Sequence, residues 1–534
     1  MVKAFERRAR RLGPAHPSFD VCSSTQRRFV EGRLFAAPGL AYHLGRSRQG
    51  RAAGGPVEEV LTRWLGTTAS LRTEIVAAIG LVLSLGVSVH VLLRKRVVGA
   101  AIGWIGLAWL APVFGTLLYL TFGINRVERR ARRLKRRPSQ ALDDTPQPSA
   151  HVPEPYHALD RAVQVITGLP TVAGNRVAMF RNGDEAYPAM LAAIGEAHRS
   201  VALSSYIFRD DEIGRAFCAA LHAAQERGAE VRVILDGIGS GYFFPAAWRR
   251  LRRLGVPAGL FMHSVLPWRM PFLNLRTHKK LLILDGKVAF TGGVNISDGN
   301  RVREKPDFPI RDTHFRIEGP VVEHLTQAFI ADWLFVSDEE LEGEVWLPPL
   351  APAGTVTARV VTSGPDADIE KIATVILQVI ACAKRSIRLT TPYFLPNDLV
   401  VNALCLAATR GIEVDVIIPK ESDHRFVDWA TRGHIDPLLK SGVRIWIDGP
   451  PFDHSKAMTV DGQWCFIGSA NWDSRSFRLN FELNVEVYDT DLARTLEAFI
   501  MGKRQSRLTL DDVGARPLPV RLRDAAVRLL LPYL

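Results

Sequence analysis

An internal repeat is the feature that most constrains the fold of this chain. Two segments match at a constant offset of 176 residues: His278-Lys-Lys-Leu-Leu-Ile-Leu-Asp285-Gly286 with Phe290, Gly292, Gly293 and Asn295, and His454-Ser-Lys456-Ala-Met-Thr-Val-Asp461-Gly462 with Phe466, Gly468, Ser469 and Asn471. A single His-x-Lys usually marks two side chains on one solvated face. Two copies in register, with the same glycines and asparagine, indicate one unit written twice.

Further matches extend the repeat over the second part of the chain. Residues 194–208 align with 380–394, and residues 227–234 align with 410–417. Short apolar runs between amphipathic helices predict βαβ units and a mostly parallel, twisted sheet. We therefore predict an α/β fold with two duplicated domains, at 157–345 and 346–534, packed with pseudo-twofold symmetry.

Two apolar runs precede the repeat, at about 75–93 and 97–124, and Arg94-Lys95-Arg96 separates them. Each run is close to the ~20 residues that a helix needs to cross the hydrocarbon core. Buried core helices are the alternative, but they usually carry polar positions at regular intervals. The region 71–125 is therefore predicted to form a two-helix membrane hairpin.

The orientation of the hairpin is predicted from charge. Eight basic residues and one acid lie between Arg126 and Arg137, which favours a cytoplasmic location for both ends and for the duplicated domains of a multi-pass inner-membrane protein. The three basic residues in the connection argue the other way. Residues 1–70 show no periodicity and are predicted to be disordered, and 126–156 reads as a basic stretch followed by a Pro-rich linker.

The formal net charge of +13 predicts an anionic partner, either nucleic acid or an anionic membrane surface. The basic cluster beside the apolar runs favours membrane lipid, and no nucleic acid is expected. The five cysteines are scattered, odd in number and without a Cys-x-x-Cys pair. This spacing argues against a zinc site and a disulfide framework. Without a carboxylate cluster in the motifs, we expect neither a metal nor a cofactor.

The paired motifs suit the transfer of a phosphodiester. On a strand, His278 and Lys280 share one face, and so do His454 and Lys456. The lysines would hold the non-bridging oxygens, while one neutral imidazole attacks phosphorus and the other moves the proton. Residues after the motifs are candidates for binding the substrate through side-chain hydrogen bonds or a closely approaching backbone: Asn295, Asn471, Ser469, Gly292, Gly293 and Gly468.

Four acids complete the candidate site. Asp312 and Glu482 follow the two motifs and could orient the imidazoles, although an ordinary surface acid explains each equally well. Asp285 and Asp461 belong to the motifs and are grouped with their catalytic residues. Their position before a glycine nevertheless favours a turn-forming role over proton transfer.

These motifs resemble the phospholipase D superfamily, whose signature is His-x-Lys-x4-Asp followed by Gly-Gly or Gly-Ser and an asparagine. From about residue 95 onwards the chain is also similar to bacterial cardiolipin synthases, through Pro112-x-x-Gly115-x3-Tyr119 and Arg311-Asp-Thr-His among other segments. The resemblance implies duplicated phospholipase D-like α/β/α sandwich domains.

The resemblance also implies an activity. One phosphatidylglycerol would donate its phosphatidyl group to a histidine, by analogy His278, and a second would accept it to give cardiolipin and glycerol. His454 would then serve as acid and base. A phospholipase D-type hydrolase or a nuclease, with water as acceptor, could use the same site, and a non-catalytic membrane scaffold is the alternative from another class.

Overall fold

The computed structural model describes residues 56–95, 98–123, 151–263, 275–365 and 368–529. The predicted disorder of residues 1–55 and most of the basic stretch and linker lie outside these ranges. The chain divides into two compact units, which meet in sequence at Tyr119 and Leu120. Each is described by itself below.

The first unit begins with a long helix, α1 (Pro56–Arg94). Residues 56–70, which we predicted to be disordered, are therefore helical. Within α1, the segment Arg72–Arg94 has a mean hydropathy of 2.4 and is long and apolar enough to cross a membrane. It is the one such segment in the described part of the chain.

The second apolar run is not one continuous helix, so that part of our prediction is wrong. It forms α2 (Val98–Leu110) and α3 (Pro112–Leu118), followed by a π-helical turn to Gly123. The break falls before Pro112, where a proline is tolerated only as the first residue of a new helix. Neither α2 nor α3 is long enough to cross a bilayer alone.

Contacts within this unit show that α3 folds back along α2. A Cβ atom on Gly115 would collide with the carbonyl of Leu107, which requires the two helices to touch at that level. The rings of Tyr119 and Trp104 lie 5.4 Å apart. The glycine thus permits a close antiparallel approach that a larger side chain would prevent.

The same fold-back places α2 and α3 against α1. Ser84 Oγ donates to Ala108 O at 2.7 Å, near the end of α2. A Cβ on Gly80 would lie 3.3 Å from Pro112, at the tip. Tyr119, at the end of α3, then contacts His90 near the C-terminus of α1. The second run therefore travels along α1 for about four helical turns and returns.

The structure describes twenty strands in the second unit, and fifteen of them form the path of one mixed sheet. In chain order the strands are β1 (Val172–Arg181), β2 (Ser200–Ser205), β3 (Glu230–Asp236), β4 (Ala258–Phe261), β5 (Arg276–Thr277), β6 (Leu281–Leu284), β7 (Val288–Gly292), β8 (Ile310–Arg311), β9 (Thr313–Glu318), β10 (Val356–Ser363), β11 (Ser386–Thr390), β12 (Phe394–Leu395), β13 (Glu413–Pro419), β14 (Arg444–Asp448), β15 (Phe452–Asp453), β16 (Ala457–Val460), β17 (Trp464–Gly468), β18 (Trp472–Asp473), β19 (Asn480–Tyr488) and β20 (Ser506–Leu508). The spatial order is β20-β14-β13-β11-β16-β17-β19-β10-β1-β9-β7-β6-β2-β3-β4.

The strand order is mirrored about the centre of the sheet, with equivalent strands of the two repeats at equal distances from it. Outward from β1 come β9, β7, β6, β2, β3 and β4, and outward from β10 come the corresponding β19, β17, β16, β11, β13 and β14. The two copies join where β1 pairs antiparallel with β10. The α/β class is confirmed, and the duplication that we read from the motifs extends to every strand of this path except β20.

Our expectation of a mostly parallel sheet is wrong. The parallel neighbours along the path are β2–β3, β3–β4, β11–β13 and β13–β14. The βαβ crossovers generate those pairs, as predicted, but each Asp-Gly turn closes an antiparallel hairpin, β6–β7 and β16–β17. The return strands β9 and β19 add further antiparallel ladders.

Helices cover both faces of the sheet and bury its apolar side chains. They are α4 (His157–Thr167), α5 (Asn182–Glu196), α6 (Glu212–Glu226), α7 (Ala246–Arg253), α8 (Val321–Ser337), α9 (Lys371–Cys382), α10 (Asp398–Thr409), α11 (Arg425–Arg432), α12 (Asp436–Lys440), α13 (Ser474–Arg478), α14 (Thr490–Met501), α15 (Leu510–Gly514) and α16 (Leu518–Arg528). One apolar cluster, which includes Phe315, Val360 and Val485, contains residues of both repeats. The repeats therefore share a core.

A charged group is enclosed where the repeats join. Arg359, on β10, has no exposed surface, and its guanidinium contacts the carboxylates of Glu486 and Asp160, the latter at 3.2 Å. Such a group is stable only while its charges remain paired, because removal of one partner leaves the others buried without compensation.

We expect Arg359→Ala to destabilise the protein by about 3–5 kcal/mol. The thermal unfolding of the purified proteins would show this as a lower midpoint. Arg176→Ala is the matched control, because Arg176 is exposed and lies 3.9 Å from Glu318 at the surface. An equal midpoint for both variants would contradict a structural role for the buried group.

Candidate active site

The two His-x-Lys segments meet at the junction of the repeats, each held by the opposite copy. β5, just before His278, pairs with β19, and His278 N donates to Phe481 O at 2.9 Å. β15, just before His454, pairs with β8, and His454 N donates to Arg311 O at 2.7 Å. The imidazole centroids are consequently 6.3 Å apart. The segments are extended but precede β6 and β16, whereas we placed them within strands.

Each imidazole contacts a carboxylate from the other repeat. Glu482 Oε2 lies 3.0 Å from Nδ1 of His278, and Asp312 Oδ2 lies 2.8 Å from Nδ1 of His454. Both carboxylates are completely buried or nearly so. The carboxylate contacts occupy Nδ1, so Nε2 of each ring is the nitrogen available for chemistry.

The two acids occupy equivalent positions. In the first repeat Gly292 of β7 faces His314 of β9, and Asp312 lies two residues before it. In the second, Gly468 faces Asn484, two residues after Glu482. The pairing is thus crossed: the acid that follows one motif serves the histidine of the other. The order of these residues in the sequence does not indicate that each acid contacts the histidine of the other repeat.

The difference between Gly-Gly and Gly-Ser has a steric cause. A Cβ on Gly293 would collide with the carboxylate of Asp312, so this position needs glycine. At the equivalent position, Ser469 instead donates through Oγ to Glu482 Oε2 at 2.6 Å. Asn480 Nδ2 donates to the other oxygen of Glu482 at 3.0 Å. Glu482 is therefore fixed by side-chain donors that Asp312 lacks.

The lysines of the motifs lie beside the imidazoles. Lys280 Nζ donates to His278 O at 2.7 Å and lies 5.4 Å from the ring centre of Tyr206. Lys456 Nζ donates to His454 O and is 2.7 Å from Nδ1 of the same histidine. Lys279 faces away and pairs with Asp332 at 2.6 Å. Alternation along an extended segment explains these directions.

The candidate substrate-binding asparagines follow β7 and β17, the second strand of each hairpin. Asn295 accepts a hydrogen bond from Ile207 N at 3.3 Å through Oδ1. Asn471 is buried, and its Oδ1 has no hydrogen-bond partner among the described residues. Gly292 and Gly468, with φ of 150° and 153°, let the backbone of β7 and β17 pass close to the neighbouring strand.

Asp285 and Asp461 lie at the other end of β6 and β16, away from the imidazoles. Asp285 accepts from the backbone N–H groups of His198, Arg199 and Ser200, and Asp461 accepts from Lys384, Arg385 and Ser386 at 2.7–2.9 Å. Both adopt positive φ, 53° and 54°, in the Asp-Gly turn. Their contacts are those of structural residues, which supports the turn-forming interpretation.

Burial dominates the electrostatics of the pocket. It lowers the pKa of His278 and His454 well below the usual value, and the neighbouring lysines lower both further. Burial also lowers the pKa of Lys280 to about 7 and that of Lys456 to about 8. The pKa of Asp312 and of Glu482 rises to about 7, again mainly through burial. An anion bound between the lysines would stabilise their charged forms.

Two tyrosines that we did not predict complete the pocket. The ring of Tyr206 is 4.9 Å from that of His278, and the ring of Tyr393 is 6.1 Å from that of His454. The two tyrosines lie in aligned segments of the repeat, but Tyr393 is one residue beyond the position that aligns with Tyr206. For this reason the alignment did not reveal them as a pair. No group of three or more His, Cys, Asp or Glu side chains suited to a metal ion occurs in the described ranges.

Comparisons with known proteins agree with this geometry. A family model described as "Cardiolipin synthase, PLD-like domain" matches residues 190–333 and 376–501. The chain is 33% identical to the major cardiolipin synthase of Bacillus subtilis, over 83% of this chain and 95% of that protein. It is also 33% identical to the cardiolipin synthase of Geobacillus kaustophilus, over 83% and 90%.

A solved structure is similar in fold. The crystal structure of phosphatidylserine synthase from Haemophilus influenzae covers 70% of this chain and 99% of that chain, with a TM-score of 0.55 and 14% identity. The family match and the paired motifs identify the chain as a member of the phospholipase D superfamily. Within it, the chain belongs to the bacterial cardiolipin synthase family.

The lysine pKa values predict the pH dependence of phosphatidyl transfer. In the free enzyme, Lys280 and Lys456 lose their charge as the pH rises through about 7 to 8. We therefore expect kcat/KM for the anionic lipid to fall on the alkaline side of pH 7. Lys280→Arg, whose guanidinium stays charged, should have a lower maximum but an alkaline limb displaced to higher pH. A limb at the same pH in both enzymes would contradict this assignment.

Proposed function

We propose that this protein is a phosphatidyltransferase that joins two phosphatidylglycerol molecules into cardiolipin and glycerol through a phosphohistidine. The observation that carries the proposal is the pair of facing imidazoles, each with a buried carboxylate at Nδ1. The ring centroids are 6.3 Å apart, so both imidazoles can reach the same phosphate group.

The first half of the reaction is a displacement at phosphorus. Nε2 of His278 attacks, the bond from phosphorus to the glycerol oxygen breaks, and that oxygen takes a proton from His454. Lys280 and Lys456 hold the non-bridging oxygens, and the asparagines are placed to donate to them. The anion also offsets the lysine charges that disfavour a protonated His454.

The second half reverses these steps with another alcohol. His454 removes the proton from the terminal hydroxyl of a second phosphatidylglycerol, whose oxygen then attacks phosphorus. The bond from phosphorus to Nε2 breaks, and cardiolipin leaves. Glu482 and Asp312 keep the rings oriented throughout. The mirrored strand order and the crossed acids support a pseudo-twofold relation of the repeats, with the reacting phosphate near its axis.

Substitution of the histidines tests the mechanism. We expect His278→Ala and His454→Ala each to reduce cardiolipin formation from labelled phosphatidylglycerol by at least a thousandfold, because both imidazoles are needed in both steps. Products resolved by mass give the readout. Cardiolipin formation near the normal rate in either variant would refute the two-histidine mechanism.

The product of the unaltered enzyme tests the activity itself. Cardiolipin with an equal amount of glycerol indicates transfer to a second lipid. Phosphatidic acid with glycerol, and no cardiolipin, would identify a hydrolase. Lys287→Ala, at the hairpin turn after Asp285-Gly286, is a control distant from the imidazoles and should leave the product ratio unchanged.

For the membrane unit, we infer one crossing by α1 and a re-entrant hairpin formed by α2 and α3. The contacts of Gly115 with Leu107 and of Tyr119 with His90 support a second run that returns to the side from which it entered. Arg94-Lys95-Arg96 and the basic stretch at 126–137 then lie on one side of the membrane. The positive-inside tendency makes that side cytoplasmic. The segment before α1 then lies on the opposite side, whereas the two-span hairpin has both ends in the cytoplasm.

Chemical labelling of residue 95 distinguishes the two topologies. In a Cys22→Ala background, Lys95→Cys should react with a membrane-impermeant maleimide only after cells are lysed. The same background without the new cysteine gives the baseline. Reaction in intact cells would place the connection outside and restore the two-span hairpin.

A further inference from the structure

Besides the motif lysines Lys280 and Lys456, a third cationic residue, Arg276, lies close in sequence to the first His-x-Lys motif. Arg276 lies in β5, two residues before His278 and four before Lys280. Side chains at such spacing in an extended segment point to the same side. The position is asymmetric, because the residue at the matching place before His454 is Phe452. The duplicated site therefore has an extra positive charge on one side.

The guanidinium of Arg276 is poorly paired. Its side chain is 16% exposed, and its Nε and Nη1 atoms are buried without a hydrogen-bond partner in the part of the chain that the structure describes. The Oδ1 atom of Asp236 lies 4.0 Å from Nη1, beyond hydrogen-bonding distance. Buried guanidinium donors without acceptors cost free energy, and an anionic ligand would supply the acceptors.

Asp236 has another function in the loop. Its Oδ1 accepts from the backbone N–H groups of Ile238 and Gly239 at 3.0 and 2.8 Å, and its Oδ2 accepts from Thr277 N at 2.9 Å. These three donors fix the carboxylate to the backbone. It is therefore not oriented to form the bidentate pair that a guanidinium prefers.

A second arginine reinforces the positive charge. Arg475, in α13 of the other repeat, is close enough to contribute to the lowered pKa of both Arg276 and His278, after the larger effect of burial. The matching position in the first repeat is Gly299. Both arginines thus occur once, on the His278 side, and make that side of the site more positive.

We propose that Arg276 binds the phosphate of the acceptor lipid, the one that is not transferred. This inference rests on the proposed function. The acceptor carries its own phosphodiester, and the product holds two phosphates bridged by a three-carbon glycerol. Two residues of extended chain span roughly 6.5 Å, a distance comparable with that bridge. Lys280 and Lys456 hold the reacting phosphate, and Arg276 holds its neighbour.

The subsite explains how one pocket favours a lipid alcohol over water. The phosphohistidine can react with any hydroxyl that reaches it. An acceptor held through its phosphate presents its terminal hydroxyl at a high effective concentration. Water and free glycerol have no phosphate and gain nothing from Arg276.

Comparison of two acceptors tests the proposal. One assay measures cardiolipin formed from phosphatidylglycerol, and the other measures labelled free glycerol exchanged into phosphatidylglycerol by the same phosphohistidine. For Arg276→Gln we expect cardiolipin formation to fall about 10- to 100-fold, the range for loss of a charge-assisted hydrogen bond. Glycerol exchange should stay within about threefold of the unaltered enzyme, because the donor contacts remain. Arg276→Lys should recover part of the cardiolipin activity.

Two outcomes for Arg276→Gln would overturn the proposal. Parallel loss of both activities would overturn the proposal, since Arg276 would then serve the donor phosphate or the fold. Unchanged cardiolipin formation would also overturn it. Arg176→Gln, on the exposed surface of β1, is the matched control and should change neither activity. If the unaltered enzyme forms no cardiolipin, the proposed function fails first, and the acceptor subsite fails with it.

Discussion

The crossed pairing of histidine and carboxylate is the interaction on which the rest of the site depends. His278 relies on Glu482 of the other repeat, and His454 relies on Asp312. All four groups are enclosed, so a small separation of the repeats would leave acids and imidazoles buried without partners. The shared apolar core and the enclosed charges of Arg359 hold the repeats in the relation that this pairing requires.

Much of this arrangement could be predicted from the sequence, because duplication leaves a periodic signal. The constant offset of the motifs predicted equivalent strands and a site at their junction. The crossed acids could not be predicted, since contact across repeats depends on three-dimensional pairing. The prediction of a mostly parallel sheet was wrong because it considered only the βαβ crossovers. The Asp-Gly turns close hairpins, which add antiparallel pairs. In the membrane unit, hydropathy predicted the length of the second apolar run. It did not predict that a new helix begins at Pro112 and that Gly115 lets this helix pack back against α2.

The two repeats have kept the same reactive groups and changed their surroundings. Ser469 stabilises Glu482 where Gly293 makes room for Asp312. Arg276 stands where the second repeat has Phe452. Chemistry that acts twice on one phosphorus atom suits matched histidines. Donor and acceptor, although the same lipid, present different groups to the site, the donor its reacting phosphate and the acceptor its terminal hydroxyl, and this difference requires unequal walls. The site combines matched histidines with unequal surroundings. The positions that differ between the repeats are the ones expected to distinguish donor from acceptor.

The ladder between β1 and β10 also has a mechanical consequence. Many two-part enzymes open and close around a hinge between their halves, but here strand pairing crosses the boundary through a short antiparallel ladder with one register shift. A jaw-like motion would have to break strand pairing and expose the common core. We therefore expect lipid entry to depend on local movements around the site and not on the movement of one half against the other.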